Sequence, residues 1–467
     1  AWGPIIPIGL ACACISSALG SILIAPRTLQ ALGKDRVFPS DSVNAIFKKG
    51  KGATNEPFNS AVITCLIAFL FIAIGNVNFV AEIISMFFIV TYGVICLISF
   101  LEHFAADPAY RPTFKSRWYL SLVGAVFCFW LMFQMNFLYA VLSLVLMAGV
   151  YIFITHFKEN REGLASIFQG VIFQVTRKLQ VFLQTRATDA DGKWRPAMVA
   201  MSKDTFKRTG AFDLLTWLSH RYGFGTYLHY IPGYLSKASA EEAHRAVQKM
   251  LKMGMATHSH VYIDSHISPS FTTAVAQVIQ LPGMSGKDNN MVLFEFPKTK
   301  PELIEEVVDN FPLIKSLNFD VCILGSSDRG FAYKREIHIW ITSRDIENAN
   351  LMILLGFILQ GHPDWGHSEI KIMSIVPEAE IEQQKQELLR IIEAGRLSIS
   401  RKNVQLISQK QDTDMREIIN ARSEMADLTI IGFQREALKR LGTEIFTGYD
   451  NIGNVLFVNT TKIKNLE

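Results

Sequence analysis

The sequence predicts an α-helical membrane segment of five spans followed by an α/β domain made of two mostly parallel-sheet subdomains. Three observations carry this. Of the 467 residues 49% are hydrophobic and 19% charged, with a mean hydropathy of +0.22, whereas an ordinary soluble domain carries about 25% charge. The charge is also unevenly placed. Residues 1–157 hold nine Lys/Arg and six Asp/Glu, which leaves 37 and 36 for residues 158–467. Finally, the second part alternates short apolar runs with helix-period segments. Together these exclude a purely soluble enzyme, a disordered chain and a secreted disulfide scaffold.

Residues 1–26 carry no charge, enough for one crossing of about 30 Å of hydrocarbon. No basic n-region or cleavage site precedes this run, so it does not read as a signal peptide. The chain reads as beginning partway through a longer protein. Residues 57–81 and 83–101 are the next uncharged runs, with the turn expected around Asn76, Asn78 and Glu82. Residues 118–157 are 40 residues without Asp, Glu, Lys or Arg. At 1.5 Å per residue that is about 60 Å, so two helices are expected, turning at Gln134 and Asn136. Five cysteines (Cys12, Cys14, Cys65, Cys96, Cys128) fall in this third and read as packing residues, like Cys322 in its own apolar run.

The loops set an orientation. Residues 27–56 hold Arg27, Lys34, Arg36, Lys48, Lys49 and Lys51, and residues 102–117 hold Arg111, Lys115 and Arg117, whereas the turns at 76–82 and 134–137 hold no Lys or Arg. The positive-inside rule then places both basic loops and everything after Lys158 in the cytoplasm of a multi-pass cell-membrane protein.

Beyond an amphipathic stretch at 164–185, strands are expected at 196–202, 225–231, 258–263, 290–296, 319–325, 335–342, 369–375, 402–407, 427–432 and 453–458. Helix-period segments lie between most of them, which argues for parallel pairing with helices on both faces. Ten strands exceed one comfortable sheet, so two subdomains are expected to meet near Gly325–Arg335. The domain scheme is a membrane segment at 1–157, an amphipathic linker helix at 158–190, and α/β subdomains at 191–330 and 331–467.

Little in the α/β part reads as chemistry. Gly325–Gly330 follows a strand but lacks either phosphate-loop spacing, and reads as a polar turn. His258, His260 and His266 are close in sequence, yet His-x-His on a strand supplies two ligands at most, so no metal site is expected there. The run Glu378, Glu380, Glu382 and Glu387 reads as a solvated helix face. No nucleophile–base pair, no cofactor and no nucleic-acid-binding stripe is found, and no enzyme activity is expected.

The informative stretch is 13–39. Ser16 and Ser17 lie near the middle of the first span, about a dozen residues from either end. Hydroxyls at that depth must face protein, an ion or a cavity. Two hydroxyls and a backbone carbonyl suit dehydrated Na⁺. However, Ala13, Ser17 and Ser21 also recur at the small-residue spacing that lets membrane helices pack closely. On spacing alone, packing is the better account.

Ser16-Ser17-Ala18-Leu19-Gly20-Ser21, followed by Ala25-Pro26-Arg27-Thr28-Leu29-Gln30-Ala31-Leu32-Gly33-Lys34-Asp35, resembles the eighth transmembrane helix and following loop of the cation–chloride cotransporters. These belong to the amino acid–polyamine–organocation superfamily. Arg111-Pro112-Thr113-Phe114, Leu120–Ala125 and Gly149–Ile152 resemble the entry loop and last two helices, and Ile337–Ile341, Leu351–Leu359, Trp365 and Glu369–Ile375 resemble the family's C-terminal domain.

The resemblance implies the last five helices of a twelve-span, LeuT-like inverted-repeat fold, and so an incomplete transporter when taken alone. It implies that Ser16, Ser17 and the Ala13 carbonyl hold Na⁺; potassium–chloride members lack the paired serines, which points to the sodium-coupled type. It implies that Tyr92, in Phe87-Phe88-Ile89-Val90-Thr91-Tyr92-Gly93, donates its hydroxyl to Cl⁻; an interior tyrosine bonded to a neighbouring helix is the plain alternative. The expected activity is secondary cotransport of Cl⁻ with Na⁺, with K⁺ left open as a third ion. The C-terminal domain is expected to be regulatory and to form a homodimer. An amino-acid or polyamine permease and a membrane-anchored regulatory protein are the competing readings.

Overall fold

The computed structural model describes residues 5–52, 54–106, 117–157, 162–186, 194–342, 346–378, 381–394, 399–408 and 414–464. The chain divides into two units, Ala1–Lys178 and Leu179–Glu467.

The first unit is helical: α1 (Ile5–Lys34), α2 (Asp41–Lys48), α3 (Phe58–Ile74), α4 (Val77–Ala105), α5 (Trp118–Met135), α6 (Phe137–Phe157) and the start of α7 (Glu162–Arg186). Among these, α1, α4 and α5 are long and apolar enough to cross a membrane; Phe58–Ile74 and Phe137–Phe153 are apolar but shorter. The turns are set by local chemistry. Gly75 takes a left-handed conformation (φ 69°) that ends α3, and Asn76 caps α4 by accepting from the Phe79 amide. Asn78 and Glu82, expected in the turn, therefore lie inside α4. Likewise Asn136 accepts from the Leu138 and Tyr139 amides at the start of α6, whereas Gln134 stays in α5. Arg111–Phe114 lie outside the described residues.

Among the described residues of the second unit, ten strands alternate with helices: β1 (Ala197–Ser202), α8 (Gly210–Ser219), β2 (Phe224–Pro232), α9 (Lys237–Ala256), β3 (Tyr262–Ser268), α10 (Phe271–Gln280), β4 (Met291–Pro297), α11 (Glu305–Ser316) and β5 (Asp320–Ser326). The same order follows again: β6 (Glu336–Thr342), α12 (Ile346–Gln360), β7 (Glu369–Val376), α13 (Ile381–Ala394), β8 (Val404–Ser408), α14 (Met415–Ser423), β9 (Leu428–Gly432), α15 (Arg435–Leu441) and β10 (Asn454–Asn459). Each expected strand is present. The third is displaced toward the C-terminus because α9 runs to Ala256 and His258 takes a positive φ (50°), which delays the extended chain.

The strands make one sheet, β3-β2-β1-β4-β5-β10-β9-β6-β7-β8, rather than the sheets of two separate subdomains. Each half has the first–second–third strands stepping outward and the fourth and fifth inward. All pairings are parallel except β5 with β10. Two such halves, each closed on its own, would leave the fifth strands as exposed edges, and edges invite mispairing. Pairing β5 with β10 removes both.

Side chains alternate across the sheet. Met198 and Ala200 of β1, with Cys322 and Leu324 of β5, pack on one face under α8, α9, α12 and α13. Val199, Met201, Val321 and Ile323 point to the other, under α10, α11, α14 and α15.

Candidate ion-binding site

α1 is apolar on all sides, and residues 5–19 are exposed in this chain. A helix of that composition needs an apolar surround. Ala13, Ser16 and Ser17 fall within about one turn of it, and all three are exposed. The hydroxyls of Ser16 and Ser17 make no hydrogen bond among the described residues, whereas Ser21 Oγ donates back to the Ser17 carbonyl at 3.1 Å. The Ala13 carbonyl lies inside an unbroken helix, so one lone pair faces the Ser17 amide and one stays available. A Cβ placed on Gly9 or Gly20 meets nothing within 4 Å, so the face carrying the small residues is not packed by α2 or α3.

Tyr92 sits elsewhere, on α4. The inner face of α4 is Met86, Val90 and Gly93, which pack with Met132, Ala140 and Cys128 of α5 and α6. Tyr92 lies off that face, 59% exposed, stacked on Phe88 with ring centroids 6.4 Å apart. Its hydroxyl has no partner among the described residues. The serines and Tyr92 are thus on separate helices, α1 packing on α2 and α3, and α4 on α5 and α6.

In the α/β domain the three clustered histidines part company. His266 bonds Gln277 (2.8 Å), His260 approaches His220 (ring centroids 5.9 Å), and His258 lies in the turn after α9. Gly325–Gly330 is a structural turn: the Ser327 amide donates to Asn454 Oδ1, and Arg329 donates to the carbonyls of Glu424 and Ala426.

One arrangement escaped the sequence reading. His338 lies between Ser423 Oγ and Glu336 Oε2, 2.9 Å from each. The residue types suggest a nucleophile, a base and an acid, but the burial argues otherwise. Ser423 is fully buried and its oxygen accepts from Trp340 Nε1 at 2.8 Å, so no substrate can reach it. The hydroxyl proton then points to His338 Nδ1, and Nε2–H donates to Glu336. Burial holds His338 below its usual pKa, keeping it neutral in this role. The set joins β6 to α14.

The switch point between β1 and β4, where α/β sheets commonly bind ligands, is occupied by the chain itself. Glu295 Oε2 accepts from the Ala211 amide at the start of α8 (2.8 Å), and burial pushes its carboxyl upward. A Cβ on Gly210 would come within 2.8 Å of Glu295 Oε1 and 3.1 Å of Leu324 Cδ2, so a larger residue would displace the carboxylate from this approach.

Residues 1–183 match the family model "Amino acid permease". Mouse solute carrier family 12 member 2 is 40% identical over 161 residues, 34% of this chain and 13% of that protein. Human solute carrier family 12 member 1 is 38% identical over 216 residues, 46% of this chain and 19% of the relative. The chain is similar to the cation–chloride cotransporters of solute carrier family 12. The match spans well under a quarter of the length of these cotransporters. Among solved structures, the cytoplasmic domain of a prokaryotic cation chloride cotransporter aligns with a TM-score of 0.39 and 17% identity, covering 57% of this chain and 96% of that one. A universal stress protein from Archaeoglobus fulgidus aligns with a TM-score of 0.38 and 12% identity, over 56% and 96%.

Proposed function

We propose that the chain is part of a multi-pass membrane cotransporter that moves Cl⁻ with Na⁺, with K⁺ as a further candidate ion. Under this reading five helices span the bilayer, α3 being the shortest of them, as part of a LeuT-like fold. The observation that carries it is the pair Ser16–Ser17 on α1, two adjacent hydroxyls without partners among the described residues, in the segment that matches the amino acid permease family model.

Na⁺ prefers hard oxygen ligands. Ser16 Oγ, Ser17 Oγ and the spare lone pair of the Ala13 carbonyl offer three, from positions i, i+3 and i+4 of one helix. The remaining ligands come from other elements. Tyr92 offers a neutral O–H donor, which suits an anion because it brings no charge of its own. Coupling follows if bound ions shift the balance between outward- and inward-facing states. The α/β domain lies on the cytoplasmic side by the positive-inside rule, where it regulates and pairs with a second copy.

The test is ³⁶Cl⁻ uptake by the full-length protein against external Na⁺, for wild type, Ser16→Ala and Ser17→Ala. Loss of Na⁺ dependence with the protein still at the surface supports the assignment. Unchanged Na⁺ dependence in both variants overturns it. The match of residues 1–183 to amino acid permeases favours a second reading, a permease of the same scaffold; uptake of labelled amino acids without Cl⁻ dependence would establish that instead.

A further inference from the structure

The connection between α1 and α3 is long for a helix–helix loop, and it is built rather than loose. Gln30, 6% exposed, donates to the carbonyls of Lys48 and Asn55. Asn44, 5% exposed, accepts from the Phe38 amide and donates to the Phe38 carbonyl, and Asn59 donates to the carbonyl of Ile46. Lys51 and Glu56 exchange backbone bonds in a two-residue bridge. Gly33 lets the α2 backbone come close, since a Cβ there would lie 2.8 Å from Phe47 Cβ.

This scaffold presents cations. Arg27, Lys34, Arg36, Lys48, Lys49 and Lys51 are all exposed, and none makes an ion pair among the described residues. Three carboxylates share the segment (Asp35, Asp41, Glu56), so the excess is three positive charges. Next to the lysines α2 exposes an apolar residue, Ile46 at 50%, and Lys51 lies over the exposed ring of Phe58 at 5.2 Å. The positive-inside rule accounts for a count of basic residues, but not for three amide side chains fixing them on one folded plate beside an exposed isoleucine. The segment begins where the apolar run of α1 ends, at headgroup level for a helix that crosses the bilayer.

We propose that this plate docks anionic phospholipid headgroups of the inner leaflet, Lys48, Lys49 and Lys51 carrying the charge and Ile46 entering the acyl boundary. It rests on the membrane orientation given under the proposed function. Removing three such charges weakens binding by at least tenfold, equivalent to about 1.4 kcal/mol.

The experiment titrates the full-length protein in detergent with dioctanoyl phosphatidylinositol 4-phosphate, using dioctanoyl phosphatidylcholine and free inositol 1,4-bisphosphate as comparisons. The expected result is binding of the anionic lipid in preference to both. Lys48→Gln/Lys49→Gln/Lys51→Gln should lose at least tenfold in affinity. The corresponding triple arginine variant should retain binding, and Ile46→Gln should weaken binding of the lipid. Lys237→Gln/Arg245→Gln/Lys252→Gln on α9 should leave it unchanged. Equal affinity of the loop triple and wild type overturns the proposal, as does inositol bisphosphate binding as tightly as the lipid. Should the glutamine triple melt early, loss of wild-type binding at high salt with the arginine triple still binding at low salt decides in its place. Orientation is read separately: Ser42→Cys labelled by an impermeant maleimide from outside sealed cells would overturn the inner-leaflet assignment while leaving the detergent result standing.

Discussion

Asp320 and Asn454 perform the same task at opposite ends of one strand pair. Asp320, the first residue of β5, accepts from the amide of Thr461 just beyond β10 at 2.8 Å. Asn454, the first residue of β10, accepts from the amide of Ser327 just beyond β5, also at 2.8 Å. The repeated order of strands and helices makes these equivalent positions in the two halves, related by a two-fold relation across the seam. Asp320 also pairs with Lys464 at 2.7 Å, both being largely buried.

Asp320→Ala should therefore cost more than Asn454→Ala. The first leaves Lys464 without its counter-charge in a buried site, worth about 3–5 kcal/mol. The second removes one hydrogen bond and leaves a backbone amide unpaired, about 1–3 kcal/mol. Denaturant unfolding followed by the buried indoles of Trp340 and Trp365 checks the order. Equal losses would mean that the Asp320–Lys464 ion pair adds nothing beyond the amide bond.

The His338 strut makes stability depend on pH with a defined sign. Burial lowers its pKa, so the unfolded chain binds the proton more readily than the folded one. The stabilisation is complete above the unfolded value of about 6.5 and is lost as pH falls toward the folded value. His338→Gln should lower stability at pH 7.5 and flatten the decline between pH 7 and 5. A decline as steep as in wild type would assign it to other groups, of which burial also lowers His229 and His362.

On α1, packing and ion binding separate by substitution. Alanine preserves a small-residue packing face, so packing alone predicts little change for Ser16→Ala or Ser17→Ala. Loss of an ion ligand should raise the half-saturating Na⁺ concentration about tenfold or more, the cost of a contact to a charged species. Ser21→Ala is the control, because its hydroxyl is already used by the Ser17 carbonyl. Uptake curves for the three variants decide.

Tyr92→Phe removes one O–H from an exposed ring and should leave folding unchanged. If that hydroxyl meets Cl⁻, the apparent Cl⁻ affinity should fall about tenfold, equivalent to about 1.4 kcal/mol. A shift confined to Na⁺ would refute the role.

Much of the fold was legible because its signals are local. Each strand is an apolar run of five to nine residues, and Asn76 and Asn136 mark helix starts by their own side chains. The single sheet was not legible. It depends on β5 meeting β10, pairs such as Val321 with Asn459 lying far apart in sequence, and nothing in either run specifies an antiparallel partner. The same distance hid the contact of His338 with Ser423. The proposed roles of Ser16 and Ser17 rest on residue type in an apolar helix together with the family resemblance, and that of Tyr92 on the resemblance alone, since no local periodicity separates an ion ligand from a packing serine.

The central place of β10 has a consequence for synthesis. Of the ten strands of this sheet it is the last to be synthesised, yet it lies between β5 and β9 in the middle of the sheet. Until residues 454–459 emerge, β5 and β9 each keep an open edge, although every other strand has already been made. The nascent domain is thus two unfinished half-sheets for nearly all of its translation, exposed to chaperones and to aggregation, and it closes in one late step. Removing residues 454–459 alone would leave both halves unsealed.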